Sequence, residues 1–304
     1  MSTESTAVVS SVLRKGLFDG KVAIVTGGAT GIGNAITKEL LYLGCNVAVA
    51  ARNVERVREE VGRLNAQFPK NAAASGGRDR ALALHCNIRR EEEVERLFKD
   101  VLDYYGRLDF LVNNGGGQFP SPAADLSLKG WNAVVETNLT GTFLMCRQAH
   151  RSWMGEHGGA IVTIITDMWK GWPMMAHSGA ARAGLDNLTK SLSIEWAENG
   201  VRVNAVAPGS SIYSPTAAAN YQNPEIFNQA LPMIPAKRLG TTEEVSGAVC
   251  FLLSPAANYI TGETVKIDGG ASLYGQVFWT VPEHNKLPAY QWSDDDQGKP
   301  KSKL

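Results

Sequence analysis

The stretch Lys21 to Gly33, reading KVAIVTGGATGIG, constrains the fold more than any other part of the chain. Val22 to Val25 is a short apolar run rich in β-branched residues and predicts a buried strand. A glycine-rich turn follows at once, and Asn34 to Leu43 carries apolar residues at helical spacing. Strand, turn and helix form the front half of a βαβ unit. The helix N-terminus points unpaired N–H groups and a partial positive charge past the turn, a setting that suits a diphosphate. Gly27 fits a tight turn, Gly31 lets a ligand approach the backbone, and Gly33 lets helix and strand pack closely. Thr26, Gly27, Gly28, Thr30, Gly31, Ile32 and Gly33 are therefore the expected cradle of a dinucleotide.

The rest of the chain repeats this alternation. Strands are predicted at Asn46 to Ala51, Ala81 to Cys86, Phe110 to Val112, Ile161 to Ile165, Val201 to Val206 and Thr264 to Ile267. Helices are predicted at Arg52 to Gln67, Arg89 to Tyr105, Leu128 to His150 (one long or two abutting), Ala176 to Glu198 and Glu243 to Leu253. Such alternation implies an α/β fold: a single Rossmann-type, doubly wound parallel sheet with helices on both faces. Pro69 to Asp79 reads as a surface loop. Ser210 to Leu239, with four prolines and no clean period, reads as an excursion over the active site. Residues 1–17 form an N-terminal extension, 18–274 the nucleotide-binding domain, and 275–304 a polar, proline-bearing tail.

Composition narrows the function classes. The 304 residues hold 30 Lys and Arg against 30 Asp and Glu, so nothing suggests nucleic acid or a charged membrane surface as partner. No apolar run reaches the length of a membrane span, and the N-terminus lacks a signal-peptide pattern. Cys45, Cys86, Cys146 and Cys250 are scattered as in a reduced intracellular protein, and no His, Cys or acidic spacing points to a metal.

After the second strand, folds that prefer NAD place a carboxylate on the ribose hydroxyls. Here Ala51 and Arg52 occupy that position, followed by Asn53. A guanidinium pairs with a 2′-phosphate, which predicts NADP(H) as cofactor. Asn87, after the third strand, is placed either to touch the adenine edge or to serve its own turn.

The order TGxxxGxG, NNGG, Asn138 in ETNLTGTF and Pro208-Gly209 resembles the short-chain dehydrogenase/reductase family from Phe18 to Gly270. The resemblance implies that Asn113, Asn114, Gly115 and Gly116 support the sheet and the cofactor. It implies that Asn138 holds a water in a proton relay and that Pro208 and Gly209 flank the nicotinamide. It also implies a homo-oligomer, a tetramer.

One departure from that family matters most. Its catalytic signature is Tyr-xxx-Lys, and no tyrosine here has a lysine four residues later. The helix reads HSGAARAG, with Ser178 in the tyrosine place and Arg182 in the lysine place. Thr166 or Asp167 falls near the family's serine. A later frame ends in Lys190 but begins with Asp186, and Arg182, Asp186 and Lys190 are spaced for a salt-bridge ladder. A ketoreductase must protonate an alkoxide, which a serine hydroxyl does poorly. Reduction of a C=C bond conjugated to a thioester instead gathers charge on the thioester oxygen, and hydrogen-bond donors suffice there. Ser178 is the expected donor and Arg182 the expected anchor of the nicotinamide ribose. Tyr213, just past the Pro-Gly turn, is the candidate for a displaced phenolic acid.

NNGGGQF, HSGAARAG and the terminal Ser302-Lys303-Leu304 together resemble the peroxisomal enoyl-CoA reductases within that family. The resemblance implies NADPH-dependent reduction of trans-2-enoyl-CoA thioesters in fatty-acid chain elongation. A terminal SKL is an address read by the peroxisomal import receptor. The competing expectations are a peroxisomal 2,4-dienoyl-CoA reductase and a non-catalytic NADP-binding protein.

Overall fold

The computed structural model describes residues 11, 13–70, 77–214, 225–275 and 280–289. Most of the expected extension at 1–17, the middle of the loop at 69–79, part of the excursion at 210–239 and Ser302-Lys303-Leu304 lie outside them. Seven parallel strands form one sheet in the order β3-β2-β1-β4-β5-β6-β7. They are β1 (Val22–Thr26), β2 (Asn46–Ala51), β3 (Ala81–His85), β4 (Phe110–Asn113), β5 (Gly159–Ile164), β6 (Val201–Pro208) and β7 (Thr264–Ile267). The order reverses between β1 and β4, which pair directly through Ala23 with Phe110 and Val25 with Val112. Loops leaving the two strands part there in opposite directions and open a crevice at the carboxyl edge of the sheet.

Both faces of the sheet are covered, which is why its inner strands are apolar without alternation, whereas the edge strands β3 and β7 are half-buried. Ala23 and Val25 of β1 pack on one side with Ile36 and Leu40 of α1 (Gly31–Tyr42), Val57 and Val61 of α2 (Val54–Gln67), and Val249 of a late helix, Thr242–Leu253. Val22 and Ile24 pack on the other side with Leu97 and Phe98 of α3 (Glu91–Tyr105). Met145 and Leu192 from the helices described next complete that side.

Local chemistry sets the helix ends. Asn53 caps α2 by accepting from the Arg56 N–H at 3.1 Å, so α2 starts two residues later than the apolar pattern suggests. Gly106 closes α3 at φ +77°. The long segment after β4 is one helical run interrupted by π turns: α4 (Leu128–Val135), the turn Glu136–Thr140, α5 (Gly141–Ala149), the turn His150–Met154, then Gly155–His157. The first turn carries Asn138. The remaining long helices are α6 (Ala176–Glu195) and α7 (Thr242–Leu253), the latter opened by a capping box between Thr241 and Glu244.

Between α1 and α7 lies a buried carboxylate, Glu39. It accepts from Ser246 Oγ at 2.6 Å and from Ser11 Oγ at 2.7 Å, and among the described residues it has no salt-bridge partner. Burial pushes its pKa up, against the pull of the two hydroxyls. An acid whose folded pKa is raised contributes stability that is full below the unfolded value, about 4.3, and is lost as pH rises through the folded value. Glu39→Gln should therefore raise Tm at pH 8, with a gain that shrinks as pH falls toward about 4. A gain of equal size at both pH values would show that the carboxylate carries no such penalty.

Candidate active site

The crevice is built from the ends of β1 and β4. Thr26 Oγ1 accepts from the backbone N–H groups of Asn114 at 3.0 Å and Gly115 at 2.8 Å. Asn114 answers with its side-chain amide, donating to the Thr26 carbonyl at 3.0 Å. Gly27 and Gly31 hold left-handed backbone, φ +66° and +52°. A Cβ on Gly33 would lie 2.3 Å from the Gly27 carbonyl oxygen, so α1 can start against the turn only because residue 33 is glycine. The N-cap residue Thr30 makes no side-chain bond to the N–H groups at the start of α1. They remain open to an anion.

A cavity of about 650 Å³ spreads from this turn across the end of β2. Thr30, Asn114, Gly115 and Gly116 line its inner side. Ala50, Val57, Cys86 and Ile88 give it an apolar side. Arg52, Asn53 and Arg56 stand at its rim, and neither guanidinium has a carboxylate partner among the described residues. Arg56 is one helical turn beyond Arg52; its spacing was legible, but its role depends on where α2 begins. Asn87 also lines the cavity, and its side-chain Oδ1 accepts from the Arg89 N–H at 3.3 Å, the geometry of a local turn. Burial holds the Cys86 thiol up at about 12, so it meets this cavity as a neutral group.

A second cavity, about 490 Å³, shares Arg52, Asn114 and Gly116 with the first, so the two form one groove. Ile32, Thr166, Pro208, Gly209 and Arg182 line it together with Ile165, Ile212, Trp172, Met175 and Phe227. Ser178 is fully buried beside it and donates its hydroxyl to Gln118 Oε1 at 2.8 Å. Gln118 itself lines the cavity. Arg182 donates to the Ile164 carbonyl, and its Nε is buried with no partner. The side chain is half-buried where it lines the cavity, and desolvation lowers its pKa to about 10, leaving it charged at neutral pH. A half-buried guanidinium with most donors unspent is suited to an incoming acceptor.

Asn138 holds the loop that carries Gln118. Its side chain accepts from the Gly117 N–H at 2.9 Å and donates to the Gly117 carbonyl at 2.9 Å. A Cβ on Gly116 would come within 2.8 Å of both Asn138 Oδ1 and the Arg182 guanidinium. Asn113 turns away from the groove, donating to Cys146 Sγ at 3.2 Å and Thr163 Oγ1 at 3.4 Å.

Other expected site residues stand elsewhere. Asp186 is held by Lys190 and by Thr264 Oγ1, the latter at 2.7 Å, so it forms no pair with Arg182 and the ladder stops at two residues. Tyr213 lines neither cavity; its ring packs edge-on to Phe227 at 5.5 Å and is 44% exposed. Thr166 faces the groove, whereas Asp167 does not, and burial followed by the nearby Asp268 pushes its carboxyl up. Among the described residues there is no cluster of His, Cys, Asp and Glu able to hold a metal ion, and no helix is long and apolar enough to cross a membrane. Gln118, Trp172, Met175 and Phe227 enter the site through folding alone, with no short-range signal beyond Gln118's place after the glycine run.

Comparison with known proteins places these features in context. A family model described as Enoyl-(Acyl carrier protein) reductase matches residues 27–272. A peroxisomal 2,4-dienoyl-CoA reductase of Danio rerio is 34% identical over 262 residues, covering 84% of this chain and 83% of the relative. A solved citronellol catabolism dehydrogenase of Pseudomonas aeruginosa is 42% identical at a TM-score of 0.75, covering 87% of this chain and 100% of that one. A solved short chain dehydrogenase of Bacillus anthracis is 31% identical at a TM-score of 0.73, covering 85% and 99%.

Proposed function

The chain belongs to the short-chain dehydrogenase/reductase family, an oxidoreductase family whose members bind NAD(P)(H), and we propose that it reduces trans-2-enoyl-CoA thioesters with NADPH. One observation carries the reading. The groove presents Arg182, with Ser178 behind it, where the family pattern has a lysine and a tyrosine, and no tyrosine lines it among the described residues. A site without a phenol is poorly equipped to protonate an alkoxide and well equipped to hold an enolate.

The cradle fits a dinucleotide. Its glycines leave room where a Cβ would collide, the start of α1 is open to phosphate, and the apolar side of the cavity at Ile88 suits a base. NADPH bound there supplies the hydride. Arg52 and Arg56 hold the 2′-phosphate at the rim. Thr166, Pro208 and Gly209 flank the nicotinamide end of the groove. Arg182 anchors the ribose and faces the developing enolate. Ser178 offers its hydroxyl to the thioester oxygen when it turns from Gln118. Trp172, Met175 and Phe227 receive the acyl chain, and after hydride reaches the β-carbon the enolate takes its α-carbon proton from water in the groove.

A second reading, 2,4-dienoyl-CoA reduction, is favoured by the name of the Danio rerio relative. NADPH oxidation measured with trans-2-enoyl-CoA and with 2,4-dienoyl-CoA separates the two: turnover of the enoyl ester as the better substrate supports our reading, preference for the diene replaces it. No oxidation with either would leave a non-catalytic NADP-binding protein. We further propose that the enzyme works in the peroxisome, addressed by Ser302-Lys303-Leu304 to the import receptor, and that it assembles as a homo-oligomer. The residues that carry the address are outside the described ones.

The cofactor choice is tested at the rim. Arg52→Ala should weaken NADPH binding by tenfold or more, the worth of one charge-assisted contact of roughly 1.5–3 kcal/mol, and leave NADH binding nearly unchanged. Arg56→Ala should act in the same direction. Titration of both cofactors into each variant measures this, and equal losses for the two cofactors would remove the 2′-phosphate from the assignment.

A further inference from the structure

We infer that residues 283–288 are a positioning element of the substrate groove, acting through Arg238. The family model stops at residue 272, ahead of these residues. They do not leave the body of the protein. Val281 N–H donates to Tyr274 Oη at 2.9 Å, and the following residues run along the segment 232–239.

Apart from the Lys286 N–H, which donates to His284 Nδ1 within the run, the polar contacts of these residues reach the same segment. His284 Nε2 lies 2.9 Å from the Pro235 carbonyl oxygen. Glu283 pairs with Lys237 at 3.5 Å, and Lys237, held at φ +53°, also donates to the Pro232 carbonyl at 3.0 Å. Arg238 is the hub. Its Nε donates to the Leu287 carbonyl at 2.6 Å, one terminal nitrogen reaches the Pro288 carbonyl at 3.2 Å, and its fork holds both oxygens of Glu244 at 2.9 and 2.6 Å. Glu244 in turn caps α7 through the Thr241 N–H.

The connection to the groove is short. Arg238, Glu244, Gly240 and Ile212 line one small cavity of about 90 Å³. Gly240 bridges to Ile212, whose Cδ1 would lie 2.4 Å from a Cβ at position 240. Ile212 and, from the same excursion, Phe227 are buried walls of the groove onto which Arg182 opens. Residues 283–288 thus brace the back of the wall that the substrate meets from the front. Loosening them should widen the groove at the acyl side and leave the cofactor side, built from β1, β2 and β4, as it is.

The test uses two full-length variants. Glu283→Ala/His284→Ala removes the side-chain contacts from the strap side. Arg238→Lys keeps a cation opposite Glu244 and gives up the two carbonyl contacts. In both, amide hydrogen exchange across 226–240 should rise about tenfold, and KM for a trans-2-enoyl-CoA at saturating NADPH should rise about tenfold, with kcat and NADPH affinity within about twofold of the parent. Unchanged exchange across 226–240 overturns the inference, as does raised exchange with unchanged KM. A joint fall of Tm and NADPH affinity marks a general structural role and overturns it too. The KM measurement rests on the thioester reading above, but the exchange measurement does not. If the parent enzyme reduces no CoA thioester, that reading falls, and exchange across 226–240 alone then decides the strap.

Discussion

Arg182→Met should lower kcat/KM for an enoyl-CoA thioester by roughly 10²- to 10³-fold, the range for loss of one donor aimed at a developing oxyanion. NADPH binding should weaken with it, because the same guanidinium reaches the cofactor end of the groove. Tm should hold or rise. The native side chain is half-buried, meets one carbonyl among the described residues and leaves a buried Nε without a partner among them. Removing an under-satisfied half-buried charge in favour of an apolar side chain of similar length relieves desolvation rather than breaking a network. Activity and stability therefore move apart. A variant that lost stability and kept its specific activity would make Arg182 a structural residue. Arg182→Lys keeps a cation at that place and should recover NADPH affinity relative to Arg182→Met.

Ser178→Ala should cut kcat by roughly 10- to 1000-fold with little change in NADPH affinity. A hydroxyl has one proton to give, and in the structure Gln118 receives it at 2.8 Å. For Ser178 to serve the thioester oxygen, that proton must turn from Gln118 as the substrate binds. Gln118→Leu, which deletes the competing acceptor, should therefore keep or raise kcat while Ser178→Ala lowers it. If instead the serine only ties the 114–121 loop to α6, both variants would lose Tm together and retain kcat. Measuring Tm beside kcat for the pair separates the two roles.

How much of this was legible before folding varies by element. β2 and β7 run from Asn46 to Ala51 and from Thr264 to Ile267, the same limits as their apolar runs. β2 is buried along nearly its whole length, and such a strand writes its length directly into apolar composition, whereas β7 is a half-buried edge strand bounded by Gly262 and the Asp268-Gly269-Gly270 turn. The capping chemistry of Gly106 was equally plain. The segment from Leu128 onward was readable as helix, but its two π turns were not, because they arise from packing rather than from residue preference. One of them orients Asn138 so that both polar atoms of its amide close on Gly117.

The sequence by itself determined the alternation of strand and helix, the glycine cradle, the basic rim at Arg52, and the absence of a Tyr-xxx-Lys pair. Each is a property of residues within a few positions of one another, where backbone freedom, side-chain branching and charge act locally. Only the tertiary structure decided that Arg182 faces a cavity and not Asp186, that Ser178 meets Gln118, that Tyr213 packs on Phe227 outside the groove, and that Arg238 is gripped by residues 287 and 288. Those pairings join residues up to 60 positions apart, and which acceptor a buried donor finds depends on the order of the strands that carry them. Spacing along the chain offered Arg182 a carboxylate one turn away. The fold gave that carboxylate to Lys190 and Thr264 and left the guanidinium for a ligand.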